Sequence, residues 1–201
     1  MKRFLVAYAT MSGSTAEVAQ TVGEEIAMAG IEVEVLPLEK IAGLTSYDAI
    51  VLGAPMILGW HRSAIQFLKK HHKVLEHIPL AIFATAMSLT AATEKAVNSV
   101  PLCVDQELAK PPRNPQHLTF RENYASITHY AAPMLNAAGK NKPVSIAFFG
   151  GRLDYYRLKP LARLFVMLAV QAQPGDRRNW PAIRAWAGSL PQLFNSCNTR
   201  N

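Results

Sequence analysis

With 201 residues, half of them apolar, the chain is long enough to bury a proper core, yet no run is long enough to span a membrane as a helix. Lys and Arg outnumber Asp and Glu by 21 to 14, a formal charge of +7 that favours anionic partners, but the cations are dispersed and not interleaved with aromatic residues, which argues against nucleic-acid binding. The two cysteines, Cys103 and Cys197, lie far apart and follow no metal-ligand spacing, so no metal centre or disulfide framework is expected, and the chain suits a reducing cytoplasm.

The first element is a continuous apolar run, Phe4 to Ala9, expected of a strand buried on both faces. It begins almost at once, with no separate hydrophobic segment and cleavage site, so no signal peptide is expected. Val18, Val22, Ile26 and Ala29 then recur at helical spacing until Gly30, a C-terminal stop. Between them lies Tyr8-Ala9-Thr10-Met11-Ser12-Gly13-Ser14-Thr15, a turn with four hydroxyls, one glycine and no charge. A helix start leaves backbone N–H groups unpaired and carries partial positive charge. Hydroxyls of Thr10, Ser12, Ser14 and Thr15 add donors, and Gly13 lets backbone come close. The reading is a phosphate cradle. The alternative is a capping box of Ser14 with Glu17, which would satisfy the helix end without a ligand. The turn has neither the Gly-Lys-Ser/Thr of a P-loop nor the G-x-G-x-x-G of dinucleotide sites.

Ile31 to Leu36 alternates enough for a strand nearer a sheet edge, and Tyr47 to Gly53 reads as a second strand buried on both faces. The loop Ala54 to His61 is oddly apolar, with Pro55, Met56, Ile57, Leu58, Gly59 and Trp60 together. Loops at strand C-termini of open α/β sheets hold ligands, so this one suggests a wall for a flat apolar molecule. A helix with Ala64, Phe67, Leu68 and Leu75 inward follows, then a strand from Pro79 to Thr85 ending in Ala86-Met87-Ser88-Leu89-Thr90. Strand and helix in repetition argue a parallel sheet with helices on both faces.

Pro101, Pro111, Pro112 and Pro115 rule out regular helix between Val100 and His117, so an extended insertion is expected. Glu122 to Ala138 recovers helical character, bent at Pro133, and closes an insertion spanning about 100–138. Pro143 to Phe149 is the last core strand, ending in Gly150-Gly151-Arg152-Leu153-Asp154-Tyr155-Tyr156. Leu161, Leu164, Phe165 and Leu168 mark one more helix, and Ile183, Trp186, Leu190 and Leu193 a terminal one over about 180–194. The simplest assembly is a single doubly wound α/β domain over 1–201 with five strands.

These residues resemble the flavodoxin family, whose phosphate loop reads Thr/Ser-x-Thr-Gly-x-Thr directly after the first strand. Thr10, Ser12, Gly13 and Thr15 match it, with Ser12 a conservative departure, and Gly53-Ala54-Pro55 with Gly59-Trp60 resemble the first flavin-flanking loop. The resemblance is closer to the flavodoxin-like branch that contains menaquinone-dependent protoporphyrinogen oxidase. It is carried by Gly53-Ala54, Gly59, Ser63-Ala64, Phe67 and Lys69-Lys70-His71, by Gly150-Gly151-Arg152-Leu153-Asp154-Tyr155, and by the Trp-centred segment from Trp180 to Ala187. Two departures concern the substrate: Gln171 to Asp176 stands where those oxidases have Thr-Gly-Gly-x-Thr-Asp, and they lack so long an insertion.

The resemblance implies a five-stranded parallel sheet of order 2-1-3-4-5 and non-covalent FMN, its phosphate on the first loop and its ring between the loops after strands three and four. It implies that Thr85, Ala86, Met87 and Ser88 border the ring from the fourth strand, and that Gly150, Gly151, Leu153 and Asp154 approach it from the fifth. Trp60 is either a stacking partner or a packed core residue, and Tyr155 either a second stacking partner or a surface residue. A reduced small molecule, porphyrinogen-like or otherwise and suited to being anionic, would give its electrons to the flavin, which would pass them to a quinone or another acceptor. No acid–base pair is identified; His61 is the one histidine expected near the ring, the alternative being a solvated loop-to-helix corner, and His71, His72 and His77 suit no common metal site, a solvated helix end being the reading there. Family electron carriers are acidic, whereas Arg152, Arg157, Lys159, Arg163, Arg177 and Arg178 follow the last strand here. Such a basic face suits substrate carboxylates or peripheral contact with an anionic membrane surface, the alternative being scattered surface charge. A flavodoxin-type electron carrier and a flavin-free binding protein of the same fold stand as further readings, and a symmetric homodimer is the default oligomer.

Overall fold

The computed structural model describes residues 1–56, 59–90, 95–154 and 174–198. In chain order the elements are β1 (Arg3–Tyr8), α1 (Ser14–Ala27), β2 (Glu32–Pro37), β3 (Ala49–Pro55), α2 (Arg62–Leu75), β4 (Leu80–Ala86), β5 (Leu89–Thr90), β6 (Ala96–Val97), β7 (Val100–Val104), β8 (Ala109–Lys110), α3 (Phe120–Tyr124), α4 (Ile127–Ala138), β9 (Ser145–Gly150), β10 (Arg152–Leu153), β11 (Gly175–Asp176) and α5 (Trp180–Asn198).

The apolar runs become the middle of a sheet because each must bury both faces. Every residue of β3, β4 and β9 is buried, and these strands lie side by side with β1 in parallel register, Val6 opposite Val51, Leu52 opposite Ile82, and Ile82 opposite Ile146. Alternation along each strand divides the core into two layers. Leu5, Ala7, Ile82 and Phe148 face the layer that contains Phe67 and Leu68 of α2 and Tyr130 and Met134 of α4. Phe4, Val6, Phe83 and Phe149 face the layer of Val18, Val22 and Ile26 from α1 and Ile183, Trp186 and Leu190 from α5. Trp186 keeps its polar end satisfied by donating from Nε1 to Ser145 Oγ, 3.0 Å away.

The sheet order is β2-β1-β3-β4-β9-β7-β6, so the five expected strands run in the expected order and two more extend the sheet past β9. β7 lies in the expected insertion, and β6, at Ala96–Val97, in the residues just before it. Leu102 to Val104 pair with β9, whereas Pro101 sits opposite Ala96 of the two-residue outer strand, where its missing N–H is tolerated. The prolines exclude helix there, as expected, but not a strand next to an edge.

The helical character expected from Glu122 to Ala138 is carried by α3 and α4, the second begun by Ser126, which accepts from the His129 N–H, and containing Pro133. One helix expectation is corrected. Ala29 is exposed rather than inward, since α1 ends at Ala27 and the chain turns out through Gly30 at φ 75°. The helix expected around 161–168 lies outside the described residues.

Candidate functional site

The C-terminal ends of β1, β3, β4 and β9 meet the start of α1 around a cleft of about 400 Å³ including its open mouth. Thr10, Met11, Ser12, Ser14 and Thr15 line it from the first turn, Pro55 and Met56 from the tip of β3, Thr85, Ala86 and Met87 from β4, and Gly151, Arg152 and Leu153 from beyond β9. Parallel strands of a doubly wound sheet all deliver their C-terminal loops to one edge, which is why segments so far apart in sequence converge there.

The first turn leads into α1 through a left-handed glycine with no side-chain cap. Gly13 is the residue before α1 and sits at φ 89°, a left-handed conformation that costs a side-chain-bearing residue about 1–2 kcal/mol. No side chain caps the helix, so the capping-box alternative is not realised. Glu17 instead turns outward, accepting from Arg152 Nη2 at 2.6 Å and from Arg178 Nη1 at 2.5 Å. The hydrogen bond from Arg178 foremost, aided by the charges of both arginines, holds its carboxyl below the ordinary carboxylate range. Among the described residues, nothing therefore competes for the N–H groups that the first turn of α1 leaves unpaired.

The hydroxyls are oriented by contacts that hold the cradle in shape. Thr10 Oγ1 accepts from the Gly13 N–H at 3.0 Å, and Ser14 Oγ accepts from the Arg152 N–H at 2.9 Å. Both keep a proton to donate. Thr15 Oγ1 shares a buried 2.9 Å hydrogen bond with Thr85 Oγ1, which ties the helix start to the tip of β4. A ring of uncharged donors around open amides fits the phosphate of FMN.

Two arginines after the last strand close the far side. Arg177 donates from Nη1 to the Met87 carbonyl at 2.6 Å and from its backbone N–H to the Gly151 carbonyl at 3.0 Å, stitching the tips of β4 and β9 together. Arg178, its side chain 4% exposed, bridges Glu17 and Asp176 with its guanidinium over the Trp180 ring. The basic face expected here is thus partly spent within the molecule: Arg152, Arg177 and Arg178 have internal partners, and Arg157, Lys159 and Arg163 lie outside the described residues.

Several expected site residues stand elsewhere. Trp60 is 4% exposed and packed in the core layer with Met56 and Phe67, so the packed reading holds and its ring does not line the cleft. Gly150 does not open toward the cleft: a Cβ there would lie 1.7 Å from the Arg177 carbonyl oxygen, so the glycine serves that close approach. Ser88 is exposed, and neither it, Gly59 nor the half-buried Asp154 contributes to the lining. Ile57 and Tyr155 lie outside the described residues. The sequence reading missed Arg152 as a lining residue. Its position directly after Gly150-Gly151, at the end of the last expected core strand, was the available signal.

The insertion also reaches the site. β5, directly after the tip of β4, pairs with β8, so the loop bearing Met87 is pinned between the sheet and the insertion. Asp105, 2% exposed, accepts from the Glu107 N–H at 3.0 Å and from Asn179 Nδ2 at 3.1 Å, with the Gly150 N–H at 3.5 Å.

A flavodoxin-domain family profile matches residues 5–179. Protoporphyrinogen IX dehydrogenase (quinone) of Escherichia coli strain K12 is 32% identical over 83 residues, which cover 40% of this chain and 46% of that protein. The same enzyme of Escherichia coli O157:H7 matches equally, so the match spans just under half the length of these curated relatives. A short-chain flavodoxin associated with a non-canonical PDU bacterial microcompartment superposes with a TM-score of 0.53 at 15% identity, over 96% of this chain and 99% of that one.

Proposed function

This chain belongs to the flavodoxin-domain family, whose cofactor is FMN, and from that premise we propose that it is an FMN-dependent oxidoreductase that takes electrons from a reduced, porphyrinogen-like small molecule and delivers them to a quinone. The observation that carries the reading is the uncapped start of α1, where Gly13 at φ 89° and the hydroxyls of Thr10, Ser12, Ser14 and Thr15 surround open backbone amides. FMN, when bound, supplies the redox chemistry.

The residues of the chain bind, orient and exclude water. The first turn holds the phosphate through neutral donors and the helix dipole. Pro55, Met56, Met87 and Leu153 offer apolar surface for a flat ring and keep water from it. Ile57 and Tyr155 are proposed as further FMN neighbours. The quinone is suggested by the named activity of the Escherichia coli relatives, and a charge of +7 suits approach to an anionic membrane surface.

The test is an anaerobic assay of FMN-loaded protein with protoporphyrinogen or another reduced donor, with and without a soluble quinone. Turnover that needs both donor and quinone is expected. Oxidation of the reduced protein by a redox protein alone, with no donor accepted, would instead mark an electron carrier.

A further inference from the structure

The FMN phosphate carries a charge of about −1.5 to −2 at neutral pH, while a helix start offers only about +0.5. Hydroxyl donors orient the ester but leave most of that charge unbalanced. Among the described residues that line the cleft, Arg152 alone is charged. Its backbone N–H already touches the hydroxyl turn through Ser14, and its guanidinium pairs with Glu17 in the first turn of α1. That pairing is shared. Glu17 keeps Arg178 if Arg152 leaves, and Arg178 is fixed by burial, by Asp176 and by the Trp180 ring, whereas the Arg152 side chain is 23% exposed.

Resting on the FMN reading above, we infer that Arg152 is a phosphate-recognising cation held in reserve by Glu17, released to the phosphate ester of the flavin when it enters the cleft. The arrangement keeps the empty cradle from presenting a lone cation while making the site select phosphorylated over unphosphorylated flavin. A guanidinium and a phosphate form paired, charge-assisted hydrogen bonds that a point charge does not reproduce. Glu17 sets the strength of that preference because it competes with the phosphate for the same donors.

The test compares FMN with riboflavin, which has the same ring and no phosphate, by fluorescence titration of the flavin-free full chain. Arg152→Gln is expected to weaken FMN on the order of tenfold or more and to leave riboflavin within about twofold. Arg152→Lys, which keeps the charge and guards against a folding defect, should lose part of the FMN affinity with riboflavin again unchanged. Glu17→Gln should tighten FMN by roughly threefold or more in the parent and have no such effect in the Arg152→Gln background, since the carboxylate acts through the arginine. FMN and riboflavin weakened together, FMN unaffected by loss of Arg152, or equal Glu17→Gln gains in both backgrounds would each overturn the inference. If the parent chain takes up no FMN, the proposed function fails and this inference with it. If the parent binds FMN but Arg152→Gln does not alter the FMN-to-riboflavin ratio, only the inference fails.

Discussion

Thr15 and Thr85, seventy residues apart in sequence, share a buried hydrogen bond of 2.9 Å between their hydroxyls. It fixes the first turn of α1 to the tip of β4, and so sets the distance between the proposed phosphate cradle and the surface offered to the ring. Replacing Thr85 with Val removes one partner and leaves the other buried hydroxyl unsatisfied, at a cost of about 1–2 kcal/mol. Urea unfolding should show a lower midpoint with an unchanged slope. An unchanged midpoint would mean that the two hydroxyls are individually solvated.

Gly150 and Gly151 are neighbours with opposite constraints. A Cβ on Gly150 would meet the Arg177 carbonyl at 1.7 Å, whereas one on Gly151 would have Ala86 O at 3.5 Å as its nearest atom. Gly150→Ala should therefore destabilise by about 3 kcal/mol or more, as backbone must move, and Gly151→Ala by no more than about 0.5 kcal/mol. Thermal unfolding of the two variants side by side reads the difference, and equal losses would contradict the close approach of the Arg177 segment.

Asp105 couples the insertion to the last core strand and to α5. Asp105→Ala strands the Asn179 amide and the Glu107 N–H and should cost about 1–3 kcal/mol. Hydrogen exchange should then rise at Gly150 and Asn179 together, not in the insertion alone. Faster exchange confined to the insertion would show that Asp105 does not hold the three segments.

Acid should loosen the corner around α1. Glu17 and Asp176 both have folded-state pKa values below their ordinary 4.5 and 3.8, chiefly through hydrogen bonds from Arg178, whose own pKa is raised in agreement. A depressed carboxylate contributes stability that is present above its ordinary value and lost as pH falls through the folded one. The loss should begin below the 4.5 of an ordinary Glu, be small because Glu17 is 43% exposed and screened, and be shallower in Glu17→Gln. Melting temperatures of both proteins down the acid range check this, and identical acid slopes would refute it.

The sheet was legible in the sequence because its strands bury both faces: Phe4 to Ala9, Tyr47 to Gly53 and Pro79 to Thr85 admit few other readings. α2 and α5 were legible for a related reason, their inward residues Ala64, Phe67, Leu68, Ile183, Trp186 and Leu190 recurring at helical spacing. The insertion was not. Pro101 forbids helix but says nothing about Leu102 to Val104, whose strand exists only because β9 offers a free edge. A capping box does occur there, between Thr119 and Glu122, while the one read at Ser14 and Glu17 is undone by two distant arginines. Local patterns of that kind cannot reveal a partner 135 or 161 residues away.

At the site, the hydroxyl turn was legible because its chemistry is local. The surroundings were not: Trp60 looked available because it stands in an apolar loop, yet its ring is buried in the core layer with Met56 and Phe67. Arg152 looked like one cation in a basic run, and only the fold shows it facing the turn.

The central claim is that the uncharged turn after β1 grips the phosphate of FMN. Its most direct test is titration of the flavin-free protein with FMN, followed by quenching of flavin fluorescence, for the parent and for Gly13→Val, with circular dichroism to verify the fold. Saturable one-to-one uptake by the parent, weakened on the order of tenfold or more by the strained β-branched residue, is the predicted result. Absence of uptake by the parent, or equal affinity in a folded Gly13→Val variant, would contradict it.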